Sequence, residues 1–256
     1  MNITIEIPNP PVECKHCNRP LDFDFTFAFQ PIVDVENKSI FAHEALVRGP
    51  EGQGAGWVLS KVSEENKYRF DQECRVKAIA LASKLGMKTY LSINFMPNAV
   101  YVPEACIRST IEAASKTGFD IKKIIFEVLE SEEVKDPEKL KEIFSYYQDR
   151  GFKTAIDDFG SGYAGLTLLA ELNPNLIKLD MLLIRNIHKD KVKQSIINGI
   201  ITAAKELDIE MIAEGIEYID EYNWLKEKGI RLMQGYLFAK PALEHVFDVS
   251  EINFPE

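Results

Sequence analysis

The sequence predicts an α/β chain closed into a TIM-like (β/α)8 barrel, with one antiparallel strand near the N-terminus. Three observations carry that expectation. From Phe25 onward, eight short apolar runs alternate with longer amphipathic segments. The 256 residues are close to the roughly 250 that such a barrel takes, so one domain is the simplest organisation. The first two apolar runs are joined by only a few polar residues, too few for a crossover helix, so that join reads as an antiparallel hairpin.

Residues 1–22 hold closely spaced prolines and a Cys-Lys-His-Cys segment but no hydrophobic period, and read as an extension to a domain spanning 23–256. The expected strands are FAFQPIVDV (27–35), FAHEALVR (41–48), TYLSINF (89–95), IIFEVLE (124–130), KTAIDDF (153–159), LIKLD (176–180), EMIAEGI (210–216) and RLMQGYLFA (231–239). Helical patterns lie between most of them. PEKLKEIFSYYQDRG stops at Gly151, and VKQSIINGIITAAKELD repeats apolar residues three and four apart. No internal repeat or low-complexity tract is visible.

Forty acidic residues against thirty basic ones give a formal net charge of -10, which argues against a nucleic-acid partner. An anionic ligand would therefore need local positive charge from Lys, Arg, backbone N–H groups or metal ions. The opening residues lack a basic segment followed by an apolar run, and no stretch approaches the roughly 18 apolar residues of a membrane span, so a cytoplasmic protein without membrane contact is expected. Cys14, Cys17, Cys74 and Cys106 fit reduced thiols. Cys14 and Cys17 have the spacing of half a zinc site, but no second pair follows. A site shared across a dimer and a redox pair both stay open. His43, His188 and His245 are isolated and read as packing or surface residues.

In parallel barrels, functional side chains project from the C-terminal ends of strands. Glu44, Asn94, Glu127, adjacent Asp157 and Asp158, Lys178, Glu214 and Gln234 all fall in or just after expected strands and would meet at one mouth. Taken singly, each acid reads as a solvated strand end. Five carboxylates in one pocket repel each other, and a bound cation is the expected relief. Oxygen donors without Cys or His suit hard ions such as Mg2+ or Mn2+ better than Zn2+. Adjacent Asp157 and Asp158 could serve two divalent ions about 4 Å apart, an arrangement that activates water for phosphoryl displacement. Lys178 lies between apolar neighbours, where a solvated lysine is unusual, and its ammonium could offset phosphate charge. From these residues alone the reading is metal-dependent hydrolysis of an anionic ligand.

The motifs FQPIVD, HEALVR, SINF, FEVLE, DDFGSGYAGL, IKLD, AEGIE and QGYLFAKP occur in that order. In them the chain resembles the EAL family of cyclic di-GMP phosphodiesterases, from about Phe27 to Pro241, with Glu44-Ala45-Leu46 as the name-giving tripeptide. The resemblance implies that Glu44, Asn94, Glu127 and Asp157 bind one metal ion and that Asp157 and Asp158 serve a second. It implies that Lys178 and Glu214 position and activate the attacking water, with Glu44 in the catalytic set. Gln30 and Arg48 would contact substrate, and Gln234 would lie near the metals on the substrate side. Glu130 would anchor the loop after the fifth strand. The implied reaction opens cyclic di-GMP to linear pGpG. A homodimer is implied, and an unidentified sensor or effector protein is a possible further partner. A catalytically silent module that binds cyclic di-GMP or a protein is the alternative.

Several positions depart from the family pattern. Ser161 stands for a threonine, Ala164 and Gly165 for two serines, Leu129 for a threonine and Gly49 for a tryptophan. Lost hydroxyls at 164 and 165 predict lower order in that loop rather than lost activity. Gly49-Pro50 followed by YRFDQECR resembles the branch of the family that often accompanies light-sensing flavin domains.

Overall fold

The computed structural model describes residues 20–100, 102–130, 136–162 and 164–255. Nearly all of the expected N-terminal extension, with Cys14 and Cys17, lies outside the described residues.

Eight strands close the barrel: β1 Thr26–Asp34, β2 Ser39–Arg48, β3 Tyr90–Asn94, β4 Ile124–Leu129, β5 Lys153–Phe159, β6 Leu176–Leu179, β7 Glu210–Ala213 and β8 Leu232–Met233. Neighbours from β2 to β8 pair in parallel. The reversed strand is β1, which pairs antiparallel with β2 through a tight hairpin and with β8 at Val33 and Asp34, closing the ring. Parallel neighbours need crossovers, and these are helical: α1 Ala55–Leu59, α2 Lys67–Lys84, α3 Pro103–Thr117, α4 Pro137–Asp149, α5 Gly165–Leu172, α6 Met181–Ile184, α7 Lys191–Glu206 and α8 Ile219–Glu227. Local chemistry sets their ends. The Asp136 carboxylate accepts the Lys139 N–H ahead of Pro137, and Asp190 accepts from Val192 and Lys193. Left-handed Gly118 stops α3.

The last expected strand is shorter than its apolar run. RLMQGYLFA leaves the ladder after Met233, because the chain turns at Gly235, where a Cβ would lie 2.1 Å from the Ile216 carbonyl oxygen. A two-residue strand that the sequence did not signal, β9 Ala242–Leu243, then pairs with Ala28 and Phe29 of β1 beyond the stretch that β8 covers. His43 holds the tail that follows. Its Nε2 accepts the Phe247 N–H at 3.2 Å and its Nδ1 lies 2.8 Å from the Thr89 hydroxyl, so the buried ring is neutral. Burial, with His245 nearby, lowers its pKa to about 4.

Two cores result. One fills the space between sheet and helices. The other lies inside the barrel, where Ile32, Ala42, Ile125, Ala155, Leu176, Ile212 and Leu232 form a separate apolar cluster with Tyr90 packed against it. Every barrel strand contributes one residue to this plug, which seals the lumen beneath the site.

Candidate active site

Side chains on a strand return to the same face every second residue. Two steps from the plug toward the mouth, the eight strands present Gln30, Glu44, Ser92, Glu127, Asp157, Lys178, Glu214 and Gln234. An apolar layer is thus followed by a layer that is polar at every position. Register places Gln30 opposite Glu44, and Asn94, two residues further up β3, opposite Glu127.

Lys178 stands at the centre of this layer. Its Nζ lies 2.9 Å from Asp157 Oδ1, 2.9 Å from Glu214 Oε1, 3.1 Å from Glu127 Oε2 and 3.4 Å from Glu44 Oε2. The side chain is 1% exposed, so these contacts replace its hydration. Gln234 Nε2 donates to Glu44 Oε2 at 2.9 Å and to Gln30 Oε1 at 3.2 Å, while Asn94 Nδ2 donates to Glu44 Oε1 at 3.1 Å. The Ser92 hydroxyl donates to Glu127 Oε1.

Four acids against one ammonium leave the layer short of positive charge. Burial, with Glu44 and Asp157 beside it, pushes Glu127 up to about 8 against the pull of Lys178. Burial also raises Glu214 well above the usual carboxylate range. For Lys178 burial works against the charge, but Asp157, Glu127, Glu214 and Glu44 outweigh it and hold the pKa well above the usual lysine value.

Asp157 and Asp158 are consecutive and should face opposite sides of β5. Asp158 instead takes a left-handed conformation, φ 54°, at a register shift between Ile156 and Phe159, which carries its carboxylate round to the mouth. Burial, then Asp157 and Asp180, raises Asp158 to about 6. Glu130 ties down the loop that follows. Its carboxylate accepts the Gly160 N–H at 2.6 Å and the Gly165 N–H at 2.7 Å. This clasp uses backbone donors, and a Cβ at Gly165 would lie 2.9 Å from Glu130 Oε1. The anchoring therefore does not depend on a side-chain hydroxyl at position 164 or 165.

Two clefts flank Glu44. One, of about 240 Å3, is lined by Gln30, Asp158, Asp180, Glu214 and Gln234. The other, of about 330 Å3, is mostly apolar and includes Phe70, Asp71, Asn94, Met96 and Leu129. Arg48 stands apart. At the end of β2, its guanidinium donates to the Val47 carbonyl at 2.8 Å and lines neither cleft. Sequence reasoning did not single out Ser92 or Asp180. Both were legible by the same period, Ser92 as the residue two before Asn94 and Asp180 as the residue two after Lys178, just past the end of β6.

The donor set fits divalent metal. Oxygens of Glu44, Glu127 and Asp157 lie within 4.8 Å of one another, as do oxygens of Asp157, Asp158 and Glu214, so two triads share Asp157. Gln234 Oε1 is buried and has no hydrogen-bond partner among the described residues, leaving an acceptor free beside the acids. All these donors are oxygens, as hard cations require.

Comparison with known proteins agrees with this geometry. The EAL domain model matches residues 21–241. A standalone versatile EAL protein from Vibrio cholerae O395, in its c-di-GMP bound form, superposes with a TM-score of 0.88 at 55% identity, over 91% of this chain and 98% of its own. BlrP1 of Klebsiella pneumoniae, as a manganese and cyclic di-GMP complex at pH 9.0, superposes with a TM-score of 0.81 at 35% identity, over 86% of this chain and 56% of its own. The blue light- and temperature-regulated antirepressor BluF of Escherichia coli K12 is 32% identical over 231 residues, 90% of this chain and 57% of its own length. The cyclic di-GMP phosphodiesterase PdeR of the same strain is 35% identical over 130 residues, 51% of this chain and 20% of its own length. The chain thus spans little more than half of the first of these curated relatives and a fifth of the second. Among the described residues, no helix is long and apolar enough to cross a membrane.

Proposed function

The chain belongs to the EAL domain family, and from that premise we propose that it hydrolyses cyclic di-GMP to linear pGpG with the help of two divalent metal ions, Mg2+ or Mn2+. The observation that carries this reading is the completeness of the polar layer, in which no metal, water or charge-balancing position has been replaced by an apolar residue. Glu44, Asn94, Glu127 and Asp157 would hold one ion, and Asp157 with Asp158 the other. Ions bound there would supply Lewis-acid polarisation of the phosphodiester and of the attacking water.

The chain's own residues do the rest. Glu214 has a carboxylate whose proton affinity is raised by burial, which suits it to take the proton that water loses as its oxygen bonds to phosphorus. Lys178, 2.9 Å from Glu214, holds that water and opposes the charge gathering on the phosphate oxygens. The leaving ribose oxygen takes up a proton from solvent as its bond to phosphorus breaks, so one ring phosphodiester opens and the dinucleotide becomes linear. Gln30 and Gln234 would orient the ligand from the polar cleft, and the apolar cleft offers a surface for a base. Arg48 commits one guanidinium nitrogen to the Val47 carbonyl and keeps its other N–H donors for a ligand phosphate.

The test is direct. Purified protein incubated with cyclic di-GMP and Mg2+ or Mn2+ should yield pGpG on chromatography, and Glu44→Ala should abolish it. Absence of product with both metals would sink the enzyme reading. The likeness to BluF, an antirepressor, favours a second reading, a protein-binding or receptor module. Tight binding of intact cyclic di-GMP without turnover would select that one.

A further inference from the structure

The central ammonium has a second consequence, which rests on the metal-dependent reading above. Lys178 touches all three carboxylates of the first triad, Glu44, Glu127 and Asp157, and two members of the second, Asp157 and Glu214. An ammonium has three N–H donors, so four acceptors saturate it. Its partners are engaged too. Glu127 accepts from Ser92 at Oε1 and from Lys178 at Oε2, and Glu44 accepts from Asn94 at Oε1 and from Gln234 at Oε2 beside the ammonium. Every Glu127 or Glu44 oxygen that a cation could use is already engaged.

We propose that Lys178 is the resident counter-cation of the metal-free site, and that the first divalent ion loads by exchange, taking Glu44 and Glu127 from the ammonium. Two forces act in the same direction. The ion must displace existing contacts, and it must approach a fixed positive charge in a dry environment where like-charge repulsion is weakly screened. The lysine therefore holds together an acid cluster that would otherwise repel itself, at the expense of metal affinity. Exchange leaves the ammonium with Asp157 and with Glu214, the carboxyl assigned above to water, so the same exchange that admits the ion frees Lys178 for its place beside the water.

Mn2+ binding, followed by titration calorimetry and by loss of the free-ion electron paramagnetic resonance signal, reads this without turnover. Lys178→Met should bind Mn2+ at least about tenfold more tightly than the parent protein, roughly 1.4 kcal/mol. Its metal-free melting temperature should fall and recover at saturating Mn2+. Lys178→Arg keeps the charge and should stay within about threefold of the parent affinity. If metal-free Lys178→Met does not fold, the comparison moves to Glu214→Gln with and without Lys178→Met, where one acid fewer lowers the repulsion; removing the lysine should again tighten binding. Equal or weaker Mn2+ binding in the folded lysine variants overturns the proposal. The two readings fail separately. Turnover of cyclic di-GMP by the parent without tighter binding in Lys178→Met removes only the exchange, whereas tighter binding without any turnover removes only the enzyme.

Discussion

Two layers of the barrel lumen, two residues apart along each strand, are built by the same eight strands to opposite ends. The lower holds Ile32, Ala42, Ile125, Ala155, Leu176, Ile212 and Leu232, sealed by Tyr90. The upper holds Gln30, Glu44, Ser92, Glu127, Asp157, Lys178, Glu214 and Gln234. Backbone geometry is common to both, and both are almost wholly withdrawn from solvent. The lower layer gains free energy by leaving water, at about 25 cal/mol for each Å2 of apolar surface. The upper layer loses hydration of four acids and a lysine and regains only part of it through mutual contacts. Stability thus comes from one layer and the proposed chemistry from the next, and mutations should separate them.

The sharpest separation is at Asp157, the acid shared by both triads. Asp157→Asn keeps the shape but removes a ligand charge from each candidate ion site and a partner from Lys178. Turnover of cyclic di-GMP should fall by about a thousandfold or more, about 4 kcal/mol in transition-state terms. The metal-free melting temperature should stay level or rise, because one of the repelling acids is gone. A drop in both quantities together would mean that the upper layer also carries the fold.

Directly beneath Lys178 on the same strand, Leu176→Ala should do the reverse. Emptying a fully buried leucine costs about 2–5 kcal/mol of stability. Turnover per folded molecule should fall by less than about tenfold, because the Leu176 side chain has no polar atom to offer the acid cluster. Denaturant unfolding and a rate corrected for active fraction check the pair. A loss of rate as large as that of Asp157→Asn would show that the plug positions the ammonium, and the division between layers would fail.

This two-layer arrangement was legible where strand period and residue type agreed. Glu44, Glu127, Lys178 and Gln234 are charged or amide residues inside apolar runs, and their placement follows once the runs are strands. The reversed β1 was legible from the short join at residues 36–40. Asp158 was expected at the mouth beside Asp157, but the left-handed backbone that brings two consecutive carboxylates to one side left no signal in the sequence. The pairing of β9 with β1 left no pattern, because two residues are too few to show a period. Arg48 was legible only as a motif position at the end of β2, and its one hydrogen bond among the described residues, from the guanidinium to the Val47 carbonyl, is local to its own strand.

The smallest effect is the most specific to the upper layer, a pH dependence that metal should erase. Glu127 has a folded-state pKa of about 8, above its usual value of 4.5, and Asp158 one of about 6, above 3.8. A raised carboxylate pKa means that the native state binds the proton more tightly than the unfolded chain does. Its stabilising contribution is full below the unfolded pKa and is lost as pH rises through the folded one. Metal-free protein should therefore lose stability between about pH 4 and pH 8, first through Asp158 and then through Glu127, with Glu214, which burial also raises, adding in the same direction, at up to about 1.4 kcal/mol per pH unit for each titrating group. Divalent ions favour the ionised carboxylates, so saturating Mn2+ should flatten or reverse that slope. Ser92→Ala removes a hydrogen bond that favours ionised Glu127 and should move the upper end of the metal-free window to higher pH. Melting curves across this range, with Mn2+ and with chelator, decide it. A metal-free slope that Mn2+ leaves unchanged would place the titration outside the acid layer, among groups that the ions do not touch.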